Sequence, residues 1–157
     1  MGQTFCYNFA MKTLESKLSK TVTNNLTKTD MSKAAGPKQK ETKKILVVDD
    51  QGQIGLVMDM ILNDRNLEMD YVNSLLAADE YLQKQQPSLV LLDNKLPDGF
   101  GVDFISYIKK KYPSLKIIMI SGFGSVRDVA LENGADVFFE KPFPLDEFNE
   151  ALTRLLQ

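Results

Sequence analysis

Five polar residues stand at or just past the ends of short apolar runs, and together they could handle a phosphoryl group. Asp49 and Asp50 follow Ile45–Val48, Asp93 follows Leu89–Leu92, Ser121 follows Ile117–Ile120, and Lys141 stands two residues after Val137–Phe139. Singly, each has an ordinary explanation: an acid after a strand often caps the next helix, and a lysine there is often just solvated. Brought to one rim, they have a shared chemistry. Three carboxylates repel one another unless a hard cation lies among them, and Mg²⁺ prefers an octahedral shell of oxygens with several waters retained. A carboxylate can act as a nucleophile toward phosphorus. The charge that develops then needs a cation, an ammonium and a hydroxyl or amide donor around the phosphoryl oxygens.

Convergence on one rim depends on the elements that carry these residues. From Lys44 onward the chain alternates short apolar runs with stretches of helical spacing. Ile45–Val48, Leu89–Leu92, Ile117–Ile120 and Val137–Phe139 are expected strands, and Leu67–Val72 alternates more weakly as another. Between them Ile54, Val57, Met58, Ile61 and Leu62 repeat at helical spacing. Leu75–Gln86 is helical in character and closed by Pro87, and Val102–Tyr112 is a helix ended by Pro113. A short helix from about Ser125 to Asn133 stops at Gly134, a natural C-cap, and a last helix runs from Leu145 to Leu156. KLPDGFG reads as a turn. Continuous apolar strands are buried on both faces, and strands alternating with helices imply crossovers and a parallel sheet. The fold class is α/β, a doubly wound five-stranded parallel sheet, and in such folds the site lies at the carboxyl ends of the strands.

Composition excludes several other chemistries. The chain has no histidine, which rules out HExxH metal sites, Ser-His-Asp and Cys-His catalysis, and a phosphohistidine carried by this chain itself. One cysteine, Cys6, allows no disulfide within the chain. No apolar run approaches the roughly 18 residues needed to span a bilayer. Gly2 suits an acylation signal, but Cys6 stands where Ser or Thr is expected, so a cytoplasmic protein free of membrane is the expectation.

Charge divides the chain. Residues 1–44 hold nine lysines against three acids, a net +6, whereas residues 45–157 hold ten basic against eighteen acidic residues, a net −8. The Lys/Thr-rich leader, residues 1–42, has too little apolar surface to offset ordering entropy and is expected to be disordered, with a short amphipathic helix possible over Met11–Leu18.

The stretches ILVVDD, LVLLDNKLPDGFG, IIMISGFG and GADVFFEKPF resemble the receiver domains of two-component response regulators, over residues 43–157. The resemblance implies a flavodoxin-like strand order 2-1-3-4-5. It also implies that Asp93 is the phosphoacceptor, with Asp50 a direct Mg²⁺ ligand, Asp49 the holder of metal-bound water and Lys95 a ligand through its backbone carbonyl. Ser121 and the Gly122 amide would meet the phosphoryl group, Lys141 would bind it, and the Lys141–Pro142 bond is similar to one that is usually cis. Phe138 stands where a rotating switch aromatic is usual, although a plain core aromatic reads equally well. Gln51 departs from the pattern, in which a third acid is common, and the Ser121–Lys141 segment is about two residues short. Lys95 and Phe123 flank the acceptor and could tune the lifetime of the phosphate.

The implied function is a phosphoacceptor rather than an enzyme with a separate substrate. It would take phosphate from a sensor histidine kinase or a histidine phosphotransfer protein, and would then switch partner binding or relay phosphate, with no DNA-binding domain in this chain. Two alternatives are a phosphorylation-independent binding module and a truncated receiver of a longer transcriptional regulator. An aspartate phosphatase fits less well, because its D-x-D pattern would need an acid at Gln51.

Overall fold

The computed structural model describes residues 42–61 and 66–157. The leader, residues 1–42, apart from its last residue, lies outside the described residues. So do its Met11–Leu18 segment and Leu62 of the first helix. The elements in chain order are β1 (Lys43–Val48), α1 (Gln53–Ile61), β2 (Leu67–Val72), α2 (Leu75–Lys84), β3 (Leu89–Asp93), β4 (Lys95–Leu96) and β5 (Gly99–Phe100). They continue with α3 (Gly101–Lys111), β6 (Lys116–Ser121), α4 (Arg127–Glu132), β7 (Val137–Glu140) and α5 (Leu145–Leu155).

Five strands form one parallel sheet in the order β2-β1-β3-β6-β7, which counts as 2-1-3-4-5 among the strands of that sheet. The apolar runs explain why the sheet is covered on both sides. Successive side chains along a strand point to opposite faces. On one face Leu46, Val48, Val90, Leu92, Ile117 and Met119 pack with Ala78 and Leu82 of α2, Ile105 and Ile108 of α3, and Ala130 of α4. On the other, Ile45, Val47, Leu89, Leu91, Ile118 and Ile120 pack with Ile54 and Met58 of α1 and with Phe148, Ala151 and Leu152 of α5. Each large side chain so buried contributes about 1.5–3 kcal/mol.

The segment KLPDGFG is more ordered than a plain turn. Lys95 and Leu96 pair antiparallel with Phe100 and Gly99, closing a two-residue ribbon immediately before α3. Helix α2 stops at Lys84, two residues before the expected end, because Gln85 is already extended (φ −132°, ψ 151°) ahead of the restricted residue before Pro87. The fourth helix is short, as expected. A 3₁₀ turn over Gly124–Val126 precedes six α-helical residues, and Gly134 (φ +107°) closes the end with its N–H donating to the Leu131 carbonyl at 3.0 Å. At the opposite end of the sheet Asp136 clamps β6 to β7. It accepts from the Ile117 N–H at 2.9 Å, from Lys109 at 2.8 Å and from Lys116 at 3.2 Å. Burial pushes its carboxyl upward, but the Lys109, Ile117 and Lys116 donors outweigh it and hold the group below the ordinary carboxylate value.

Candidate functional site

Register brings the five polar residues level. Val48 pairs with Leu92 and Asp93 with Ile120, so the residues that follow β1 stand beside the end of β3. Ser121 pairs with Glu140, and the Lys141 N–H donates to the Ser121 carbonyl at 2.8 Å, so β6 and β7 end together as well. Four parallel strands thus deliver Asp49, Asp50, Asp93, Ser121 and Lys141 to one rim.

Asp49, Asp50 and Asp93 can each place a carboxylate oxygen within 4.8 Å of the others, and they are half-buried, exposed and buried respectively. At such separations a pair of like charges repels by on the order of 1–4 kcal/mol, depending on the local dielectric. The donor set is all hard oxygen, and the exposed side at Asp50 leaves room for waters. That chemistry fits Mg²⁺ better than a softer metal.

Asp49 has a second duty. Its Oδ1 accepts from the Gln51 N–H at 2.9 Å and its Oδ2 from the Ile54 N–H at 2.7 Å, so it caps the start of α1. Its own N–H donates to the Val72 carbonyl at 3.0 Å, fixing the rim between β1 and β2. The cap reading of an acid after a strand therefore holds for Asp49, and it orients the carboxylate beside the cluster.

Asp93 is held from two sides. Oδ1 accepts from the Asn94 N–H at 2.7 Å, and Oδ2 accepts from the Lys141 ammonium at 3.1 Å. Lys141 also donates to Gln53 Oε1 at 3.3 Å. The Lys141–Pro142 bond is cis. Ser121 is fully buried, and its Oγ accepts from the Phe123 N–H at 2.9 Å and bonds locally rather than to Asp93. Gly122 is exposed, with nothing within 4 Å of where a Cβ would stand. Lys95 lies in β4, exposed and two residues past Asp93. Phe138 is buried in the core with the Arg127 guanidinium 5.0 Å from its ring centre, so the core reading describes its position here.

Four positioning residues escaped sequence reasoning. Asn94 is buried, and its N–H is within 3.0 Å of the Ile120 carbonyl. Its carbonyl accepts from the Gly101 N–H at 2.8 Å and its Oδ1 from the Val102 N–H at 3.2 Å, which caps α3 from a distance. Asp98 caps α2, with Oδ1 and Oδ2 accepting from the Leu75 and Leu76 N–H groups at 2.9 Å each; these bonds hold its carboxyl below the ordinary range. Gly101 packs so closely that a Cβ there would meet the Asp93 carbonyl oxygen at 2.4 Å. Gln53 touches Lys141 across 88 positions of sequence. The local signals were a PDG turn and a glycine pair, and neither names its distant partner.

A family model described as the response regulator receiver domain matches residues 45–153. Sporulation initiation phosphotransferase F of Bacillus subtilis is 30% identical over 73% of this chain and 94% of its own length. The chemotaxis protein CheY of Listeria monocytogenes is 34% identical over 71% of this chain and 96% of its own. The response regulator protein PilR of Pseudomonas aeruginosa is 32% identical over 73% of this chain, which spans only 26% of that longer relative. Among solved structures, the receiver domain of NtrX from Brucella abortus superposes with a TM-score of 0.64 at 36% identity, over 71% of this chain and 97% of its own. The protein TrrA of Thermotoga maritima, solved in complex with Mg²⁺-BeF, gives a TM-score of 0.64 at 30% identity, over 72% of this chain and 98% of its own.

The chain belongs to the response regulator receiver family of two-component signalling, and its Asp49, Asp50 and Asp93 cluster fits the family's phosphorylation and Mg²⁺ site. Among the described residues no helix is long and apolar enough to cross a membrane.

Proposed function

We propose that residues 43–157 act as a phosphorylation-switched receiver in the cytoplasm, with residues 1–42 outside the phosphorylated unit. Asp93 is the acceptor. The observation that carries this reading is the buried Asp93 carboxylate, bonded at 3.1 Å to Lys141 beside two further acids. A phosphohistidine of a sensor histidine kinase or a phosphotransfer protein is the donor. The Asp93 oxygen forms a bond to phosphorus as the nitrogen–phosphorus bond breaks, and the electron pair stays on the donor imidazole. Hydrolysis restores the free carboxylate: the oxygen of water bonds to phosphorus as the bond from phosphorus to the Asp93 oxygen breaks. The electron pair stays on the carboxylate, and inorganic phosphate leaves, with the water's protons passing to phosphate and solvent.

Mg²⁺, held by Asp50, Asp93 and the Lys95 carbonyl with Asp49 on a bound water, would supply charge neutralisation at the phosphoryl oxygens. TrrA, a 30% identical relative solved with Mg²⁺-BeF, supports that assignment. Lys141 neutralises a second oxygen, and the Ser121 hydroxyl and the Gly122 amide take the third. To do so the Ser121 hydroxyl must turn its proton from the Phe123 carbonyl, 3.4 Å away, to the phosphoryl group. That exchange biases the Ser121–Arg127 loop and, through Arg127, Phe138. Output follows by binding a partner or by passing phosphate on, the latter in keeping with the name of the Bacillus phosphotransferase.

The test is incubation with Mg²⁺ and a small radiolabelled phosphodonor. Wild type should gain a hydroxylamine-sensitive label that Asp93→Asn lacks. Label on both proteins, or on neither, would overturn the assignment.

A further inference from the structure

Lys141 is held by more than the carboxylate it neutralises. Its ammonium has three donors on a flexible four-carbon stem, and its side chain is a quarter exposed. With Asp93 as its only anchor such a group would sample many rotamers. A second anchor comes from the opposite side of the rim, where Gln53 Oε1 accepts at 3.3 Å.

Gln53 is itself oriented. It is the first residue of α1, whose start is fixed by the bond from the Ile54 N–H to Asp49 at 2.7 Å. The amide of Gln53 could point either way. Its Nε2 donates to Gln51 Oε1 at 3.1 Å, which leaves Oε1 facing Lys141. Gln51 and Gln53 thus form a neutral relay that ends on the ammonium. Neutrality matters here. A carboxylate at position 53 would add a fourth negative charge near Asp49, Asp50 and Asp93 and would compete with Asp93 for the lysine. An amide oxygen accepts more weakly, so Asp93 remains the dominant partner, and Gln53 can yield when the lysine follows a phosphoryl group outward.

We propose that Gln53 is a positioning residue for phosphoryl transfer to Asp93. It holds the Lys141 ammonium in place, and Gln51 sets the orientation of its amide. The kinetic part of this inference rests on Asp93 being the acceptor, whereas the hold on Lys141 does not. Misplacing a charge-stabilising group by a fraction of an ångström costs rate rather than metal binding.

Gln53→Ala should slow Asp93 labelling by a small phosphodonor by about 3–10-fold. Mg²⁺ affinity and thermal stability should stay unchanged, because position 53 is exposed and supplies no carboxylate. Gln51→Ala, which frees the amide without removing it, should slow labelling by a smaller factor. In a Lys141→Ala background Gln53→Ala should have no further effect. The ammonium is read directly in protein carrying ¹⁵N at lysine Nζ. The Lys141 resonance, assigned by its loss in Lys141→Ala, should move toward the exposed-lysine position or broaden away in Gln53→Ala. An unmoved Lys141 resonance overturns the proposal, and so does equal slowing in the presence and absence of Lys141. If wild type takes no label, the acceptor reading falls, and the Lys141 resonance alone decides whether Gln53 holds the ammonium.

Discussion

Replacing Gly101 with alanine should damage both the fold and the acceptor site, although the glycine bears no functional group. A Cβ at that position would stand 2.4 Å from the Asp93 carbonyl oxygen, 3.0 Å from Leu92 Cγ and 3.2 Å from the Asp93 carbonyl carbon. Real Cβ contacts essentially never fall below 3.0 Å, so either α3 or the end of β3 must retreat by about 0.6 Å. The obstructing atoms are backbone and cannot swing aside. The Asn94 carbonyl and side chain, which bond the Gly101 and Val102 N–H groups at 2.8 and 3.2 Å, resist the same movement. Overpacking of this kind costs about 1–3 kcal/mol. The better helix propensity of alanine returns at most about 1 kcal/mol. The difference spans about 0–2 kcal/mol, and because the clash at 2.4 Å is with backbone it falls in the upper half, about 1–2 kcal/mol. Such a loss should lower the melting temperature by roughly 4–8 °C and move the urea midpoint accordingly.

Gly122→Ala is the matched control. No atom lies within 4 Å of its Cβ and its φ is ordinary, so this substitution should be neutral or stabilising by up to about 1 kcal/mol. Urea unfolding of both variants gives the comparison. Asp93 labelling should also slow in Gly101→Ala, because its backbone is what is displaced. If Gly101→Ala unfolds with the same midpoint as wild type, the close approach of α3 to β3 does not constrain the site, and the reasoning fails.

Asp98→Ala should destabilise by about 0.5–2 kcal/mol in urea unfolding, since two N–H groups at the start of α2 lose their acceptor. Asp136 has a lowered folded-state pKa, so its stabilisation is fully present above the ordinary carboxylate value of 3.8 and is lost as pH falls through the folded value. Asp136→Asn should therefore flatten the decline in stability below about pH 4, measured by thermal unfolding across pH. Mg²⁺ should raise the melting temperature of wild type, with a gain of about 1.4 kcal/mol at tenfold excess over its dissociation constant, and chelation should reverse it. Asp50→Asn should show little of that gain at the same concentration.

The central strands were legible because each is buried on both faces and so reads as an unbroken apolar run, whereas the edge strand β2, partly exposed along its length, showed only a weak alternation. Ile45–Val48, Leu89–Leu92 and Ile117–Ile120 leave no other interpretation once helical spacing follows each of them. The helix ends were legible where a local residue dictates them, as at Gly134, and were missed by two residues at Lys84, where an extended Gln85 intervenes. KLPDGFG hid its paired ribbon, because two residues on each side are too few to show alternation.

By itself the sequence determined which chemical groups stand at the strand ends, since a residue type and its place after an apolar run are local facts. It thereby identified Asp49, Asp50, Asp93, Ser121 and Lys141 as one constellation. The tertiary structure decided what those groups touch. Asp49 both caps α1 and faces the cluster, Ser121 is turned to Phe123, and Phe138 lies inward under Arg127. The Gln53 contact with Lys141 and the Asp98 cap on α2 join residues 88 and 23 positions apart, or 22 for the second Asp98 bond. Such pairings depend on how parallel crossovers return the chain to one rim, and no pattern within a window of a few residues encodes them.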